Sequence, residues 1–214
     1  MATTAQSSKG LLLATMEPPA NIEEEFQDWY DSEHFPERQS CAGFETARRF
    51  VCIDGWPRYL AVYDLTDVDV LHGPAYGAIA ISRYSPWTHR IMSKVWGQYR
   101  AEGVQVFPGA SLLGQSGPCA RLVLWRFRGV PAMLESLLAQ GLCKIYGEGP
   151  ETAQVRLFRV PGDDPTDYLG LVELRSPAGA PDLALLGDAA LHVDLVNTYV
   201  PYTRQAPGAF PKST

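Results

Sequence analysis

Apolar residues fall in short runs along this chain, and the spacing within the runs alternates between two and nearly four. Residues 10–16 (GLLLATM) form an apolar run closed by Glu17-Pro18-Pro19 and read as a buried strand. From Asn21 the period lengthens: Ile22, Phe26, Trp29, Tyr30 and Phe35 share one helical face. Glu23, Glu24 and Glu25 crowd its first turn, where they suit the positive end of the helix dipole, and Asn21 with Glu24 has capping-box spacing. Pro36 has no N–H and restricts Phe35, so the helix must break or restart there. A strand follows from Gly43-Phe44 to about Ile53, then the turn residues Asp54-Gly55-Trp56-Pro57. In 58–65 the pattern alternates, with Tyr59, Ala61 and Tyr63 on one face and Leu60 and Val62 on the other. Residues 67–82 look helical apart from Gly73-Pro74, a second helical piece runs from Pro86 to Trp96, and a strand covers 98–107.

After a loop-like stretch at 109–118 the order repeats. Residues 120–128 alternate as a strand, 131–146 carry Met133, Leu134, Leu137, Leu138 and Leu142 at helical spacing, and 153–160 and 168–175 are strands about a Pro/Gly/Asp turn. A short helix at 181–190, a strand at 191–200 and a Pro-rich tail from Pro201, expected to wrap the surface or a partner chain, complete it. Each half reads β-α-β-β-α-β, the ferredoxin-like order. The expected fold is therefore α+β: tandem ferredoxin-like βαββαβ repeats, 1–109 and 110–214, with antiparallel sheets packed face to face as an α+β barrel. A ferredoxin-like sheet carries helices on one face only, so its other face must be covered.

With 214 residues, 46% hydrophobic and 20% charged, the chain can bury a real core without a disulfide or metal. The net charge of -6 is interspersed in sign, which argues against a nucleic-acid partner. Cys41, Cys52, Cys119 and Cys143 form no C-x-x-C pair and read as reduced, mostly buried thiols. The segment from Met1 to Lys9 lacks the basic-then-apolar layout of a signal peptide, and no apolar run is long enough to span a bilayer. A cytoplasmic protein is expected, with a small-molecule substrate, no membrane and no nucleic acid as partner, and room for a homodimer.

The segment Trp29-Tyr30-Asp31-Ser32-Glu33-His34-Phe35-Pro36 carries the candidate chemistry. Tyr30 and His34 are four apart, and the apolar residues on that face aim it at the sheet. A histidine there can give or take a proton near neutral pH without a metal, with Asp31 or Glu33 to orient it. On spacing alone a structural histidine, or a cation at the helix's negative end, is the commoner role. Tyr59, Tyr63, Tyr76 and Trp87 could present polar tips to the same layer, although strand aromatics are more often packing. Of Arg48 and Arg49, on opposite faces of a strand, one could bind a carboxylate or enolate. His72 reads as a loop residue, His89 as a mouth residue, and His192 receives no role. There is no G-x-G-x-x-G after a strand, no P-loop, no G-x-S-x-G and no H-x-x-x-H. The helix at 131–146 has no histidine, so the second half is expected to be scaffold without an equivalent pocket.

F-x-x-W-Y-x-x-x-H-x-P, followed by Gly43-Phe44 and Ala47-Arg48-Arg49-Phe50, resembles the first helix and second strand of the dimeric α+β barrel superfamily. It is most similar to the EthD-type and related cofactor-independent enzymes, and the similarity covers about residues 10–107. The resemblance implies a pocket between helices and sheet lined by this histidine, in polyketide cyclases, muconolactone-type isomerases and monooxygenases of electron-rich aromatics that need no metal or flavin. It makes His34 the catalytic acid/base and Tyr30 its helper, with Phe26, Trp29, Tyr59, Tyr63, Tyr76 and Trp87 as substrate contacts, and no cofactor. The implied enzyme is an isomerase, cyclase, lyase or monooxygenase acting on a small aromatic or enolisable ring. The alternatives are a non-catalytic binding or assembly module of the same fold, and a haem-binding member with His34 as axial ligand.

Overall fold

The computed structural model describes residues 8–147 and 149–204, so the N-terminal stretch and most of the Pro-rich tail lie outside the described residues. Eight strands form one closed barrel in the spatial order β1-β3-β2-β8-β5-β7-β6-β4. They are β1 (Gly10–Glu17), β2 (Phe44–Asp54), β3 (Tyr59–Leu65), β4 (Trp96–Phe107), β5 (Arg121–Val130), β6 (Thr152–Arg159), β7 (Thr166–Leu174) and β8 (Val193–Pro201), and every pairing is antiparallel. The two expected sheets are the two walls of this barrel. They join edge to edge through β2–β8 and β4–β6, so neither wall keeps an open edge.

Strand alternation divides the apolar residues into three layers. Leu11, Leu13, Leu60, Val62, Leu122, Leu124, Phe50 and Phe158 fill the barrel. Leu12, Met16, Tyr59, Ala61 and Tyr63 turn outward onto the helices of the first half. Val123, Trp125, Phe127, Tyr168 and Val172 do the same under the second-half helix.

The registers of the two walls correspond. A β-bulge separates Phe44 from Thr46 in β2 and Thr152 from Gln154 in β6, and beyond it Thr46 faces Asp64 as Gln154 faces Glu173. At the seams Phe50 pairs with Pro201 and Phe158 with Gln105, the same pairing seen from opposite walls.

The helices are α1 (Glu23–Trp29), α2 (Phe35–Gln39), α3 (Pro74–Gly77), α4 (Pro86–Met92) and α5 (Glu135–Tyr146). No side-chain bond caps α1: a 3₁₀ turn at Ala20–Ile22 precedes it, and the capping box read at Asn21 and Glu24 is not made. Of the break or restart expected at Pro36, the structure shows the restart. A π-helical turn, Tyr30–His34, widens the backbone so that the Phe35 N–H donates to the Tyr30 carbonyl, and α2 restarts with Pro36 in its first turn. The helix read over 67–82 is instead 3₁₀ at Val68–His72, α3, and 3₁₀ at Ile81–Arg83, because Gly73-Pro74 divides it. The helix read at 181–190 is a 3₁₀ stretch, Leu183–His192, kinked where Gly187 takes φ 56°.

The loop 109–118 is more than a spacer, since its Leu113 belongs to the barrel core. The Leu113 N–H donates to Asp64 Oδ2 at 2.5 Å, and the Gly114 N–H donates to Glu173 Oε2 at 2.8 Å. Arg156, fully buried, bonds Asp64 Oδ1 at 2.7 Å and lies 3.5 Å from Glu173 Oε1. One buried cation thus bridges two buried carboxylates, one from each wall.

Candidate active site

The first half holds a cavity of about 360 Å³ between β1, β3, β4 and the α1–α4 layer. Its walls include Tyr30, His34, Arg38, Tyr63, Tyr76 and Tyr84, with His89, Met92 and Arg100 also lining it. Size does not single it out. An open groove of about 520 Å³ lies between Asp31, Arg49, Tyr202 and Arg204, and a cavity of about 370 Å³ lies over the second half. The distinction of the His34 cavity is its density of titratable side chains on an aromatic wall.

Local structure explains the placement of each group. The π turn puts His34 at the junction of α1 and α2, its ring 4.3 Å from Trp29 and 5.2 Å from Tyr30. Only 5% of His34 is exposed, and its Nδ1 is buried without a hydrogen-bond partner among the described residues. Burial first, then the nearby Arg38 and Arg49 cations, pull its pKa well below the ordinary histidine value, so the ring is neutral at physiological pH. Burial raises the pKa of Tyr30 against the opposing pull of Arg49. It raises Tyr63 well above the usual range, with the neighbouring Tyr30 adding to the effect. Tyr84 is raised in the same way, with Arg38 opposing. The site therefore offers the neutral His34 imidazole and several protonated phenols.

Neither carboxylate expected to orient His34 does so. Asp31 pairs with Arg49. Glu33 accepts from Ser85 Oγ at 2.5 Å and Thr88 Oγ1 at 2.8 Å, which fastens the N-terminus of α4 against the first helix. Trp29 Nε1 donates to the same Thr88 hydroxyl at 2.9 Å. Arg49, read as a possible anion binder, also bonds Gln27 and is sandwiched 4.0 Å from the Tyr30 ring and 4.2 Å from the Tyr202 ring. It braces Tyr30 from behind, while Arg48 is exposed on the other face.

Of the residues singled out in the sequence, Tyr30, His34, Tyr63 and Tyr76 meet at the cavity, with His89 beside them. Phe26, Trp29, Tyr59 and Trp87 are not among its walls. Phe26 and Trp29 are fully buried packing, Tyr59 bonds Glu23, and Trp87 Nε1 donates to Glu25 at 3.1 Å. His72 is exposed, 3.5 Å from Glu102, and His192 meets the Arg128 carbonyl at 3.0 Å. Sequence reading missed Arg38, Tyr84 and Arg100. Arg38 carried a signal, since it stands one helical turn beyond His34.

The second half explains why the cavity is where it is. The cross-strand row Arg100–Ala14–Ala61 at the cavity corresponds in register to Val196–Trp125–Gly170. Trp125, fully buried, fills the space that Ala14 leaves open, and Gly170 makes room for it. The expectation is that the second half has no pocket at the equivalent place, and Trp125 occupies that place. One second-half cavity lies farther along, toward Asp54, Arg121, Tyr146 and Pro177, another of about 320 Å³ lies against Glu135, Ala139 and Leu157, and no histidine lines either.

No group of three or more potential metal ligands clusters among the described residues. A haem ligated by His34 fits poorly. A ligating imidazole is normally fixed by a hydrogen bond from its other nitrogen, and His34 Nδ1 has no such acceptor among the described residues. No helix among the described residues is long and apolar enough to cross a membrane.

No protein-family model matches the chain, and no curated protein matches it. Solved structures do. An anthrone oxidase-like protein superposes over 98% of both chains with a TM-score of 0.66 at 11% identity. A chlorite dismutase variant from Candidatus Nitrospira defluvii covers 92% of this chain and 93% of its own, with a TM-score of 0.56 at 12% identity. A protein from Lactobacillus acidophilus NCFM, provisionally described as a monooxygenase, covers 91% and 94% with a TM-score of 0.52 at 6% identity. The likeness is one of fold: a mixed α+β barrel shared with oxidase-like, dismutase and monooxygenase-like proteins.

Proposed function

We propose that this chain is a cofactor-independent enzyme in which His34 removes a proton from a small aromatic or enolisable ring substrate. The observation that carries the reading is the buried imidazole in a cavity wall, whose Nδ1 has no hydrogen-bond partner among the described residues. An unpaired buried polar atom costs about 1–3 kcal/mol, and such sites call for an explanation such as catalysis. The neutral ring accepts the proton, and the C–H or O–H electrons stay on the substrate as an enolate or phenolate. The phenols of Tyr30 and Tyr63, held protonated by burial, donate toward that oxygen. Isomerisation or cyclisation returns the proton elsewhere. In the oxygenase version the enolate is the reductant and dioxygen the oxidant, a version favoured by the neighbours described as anthrone oxidase-like and as a monooxygenase.

The same reading makes the chain a tandem pair of ferredoxin-like units, 1–109 and 110–214, in the EthD-like part of the superfamily, working in the cytoplasm as a monomer or homodimer. The matched bulges and seam pairings of the two walls support the duplication.

The test is oxygen uptake and product absorbance with anthrone and related phenolic ketones, using chelator-treated protein. Turnover without added metal or flavin is expected, falling by roughly 10²–10⁴-fold in His34→Ala. Equal turnover in wild type and His34→Ala would remove the assignment.

A further inference from the structure

The described residues include three buried arginines, Arg38, Arg49 and Arg156. Two of them are matched in charge. Arg156 lies between Asp64 and Glu173, and Arg49 is held by Asp31 and Gln27. Arg38 is not matched in this way. It is 3% exposed, and its Nη1 donates to the His34 carbonyl at 3.1 Å. Its carboxylate contact is its sequence neighbour Glu37, at 3.4 Å, whose side chain is 41% exposed and turned to solvent. The Tyr84 hydroxyl, itself on the cavity wall, is another polar neighbour, and like the nearby Tyr30 and Tyr63 phenols it carries no charge to offset the guanidinium. A buried cation without a close buried partner is costly, and proteins place one where something else supplies the negative charge.

The surroundings point the same way. No aspartate or glutamate is among the lining residues of the His34 cavity. Arg100 adds a second guanidinium at the mouth, tied to Glu102 at 2.6 Å and within 3.5 Å of the Tyr76 hydroxyl. A planar, fixed guanidinium against aromatic walls matches a flat ring bearing an anionic oxygen.

We infer that Arg38 is the specificity-determining residue of this cavity, and that the ligand is an aromatic compound carrying an anionic oxygen, carboxylate or phenolate, held on the Arg38 guanidinium. The inference rests on the proposed site but not on its chemistry. Arg38 binds the anion whether or not His34 moves a proton.

Binding is read from tryptophan fluorescence, using Trp29 beside His34, and by calorimetry with full-length protein. The probes are 2-naphthoate, its neutral isostere 2-naphthamide, and 2-naphthol across its ionisation. Wild type should bind naphthoate roughly ten- to a hundredfold tighter than naphthamide, as a charge-assisted bond implies. Arg38→Gln should remove that preference, and Arg38→Lys should restore part of it. A preference for naphtholate at high pH without one for naphthoate would name phenolate as the class, and the reverse would name carboxylate. Equal binding of naphthoate and naphthamide to wild type, together with equal binding of 2-naphthol on either side of its ionisation, overturns the inference whether or not the variants fold. So does a preference that survives Arg38→Gln, or wild type that binds none of the probes. The His34→Ala protein separates the two claims. Anion preference retained with turnover normal sinks the acid/base role alone, whereas anion preference absent with turnover lost on His34→Ala sinks the role of Arg38 alone.

Discussion

His34 was legible in the sequence because Trp29, Tyr30, His34 and Pro36 make a short recognisable pattern, and Tyr63 followed from strand alternation. Arg38 carried only its spacing from His34 as a signal, and its burial was not legible. An arginine in a Pro-Glu-Arg-Gln run reads as a solvated helix end, and only the packing of α2 under Tyr84 buries it. Asp31 and Glu33 misled for the opposite reason, since acidic neighbours of a histidine look like partners until Arg49, Ser85 and Thr88 claim them. The protonation of His34 has a consequence for stability. Its folded pKa lies below the unfolded value of about 6.5, so the unfolded chain binds the proton first. Stability from the neutral ring is present above that pH and is lost as pH falls through it toward the folded pKa. Melting curves of wild type and His34→Gln between pH 7.5 and 5 should show wild type losing more stability on acidification. Parallel curves would show that the ring titrates alike in both states. At neutral pH, His34→Ala should cost only about 1–2 kcal/mol, because the lost ring borders space that is already open.

At the scale of elements, the sequence pattern gave the order of strands and helices but not the π turn, which arises from Pro36 meeting a helix that continues through it. The pattern also could not show which helix–sheet layer stays open. Ala14 and Trp125 look unremarkable within their strands, and only the shared register reveals that they occupy equivalent places. Ala14→Trp should therefore close the first-half cavity much as Trp125 closes the second. Naphthoate binding and turnover should fall at least tenfold, a loss of about 1.4 kcal/mol or more. The cost in stability should be about 1–3 kcal/mol, typical of overpacking. A variant that binds normally would place the ligand elsewhere, with the second-half cavity at Arg121 and Tyr146 the next place to look.

At the scale of the whole molecule, the pattern reads as a repeated element order with two sheets packed as a barrel, whereas the strand seams that close the barrel were not legible. Seam pairings such as Phe50 with Pro201 connect residues from opposite ends of the chain, and no local pattern encodes them. The barrel end is locked by the Asp64–Arg156–Glu173 bridge and by the loop bonds of Leu113 and Gly114. Asp64→Ala leaves Arg156 with one distant carboxylate and frees the Leu113 N–H, so unfolding should be easier by about 3–5 kcal/mol, read by urea denaturation. A loss under 1 kcal/mol would mean that the bridge is dispensable to the closed barrel.

The central claim is that His34 is a neutral, ligand-facing imidazole in the functional cavity. The chain has only 4 histidines, so their ring signals can be followed individually by NMR in isotopically labelled protein. At pH 6.5 the His34 ring should give a neutral-form signal. On addition of 2-naphthoate the signals of His34 and His89, both on the cavity wall, should move while those of His72 and His192 stay in place. A His34 ring already protonated at that pH, or one that ignores the ligand while other histidines respond, would contradict the account.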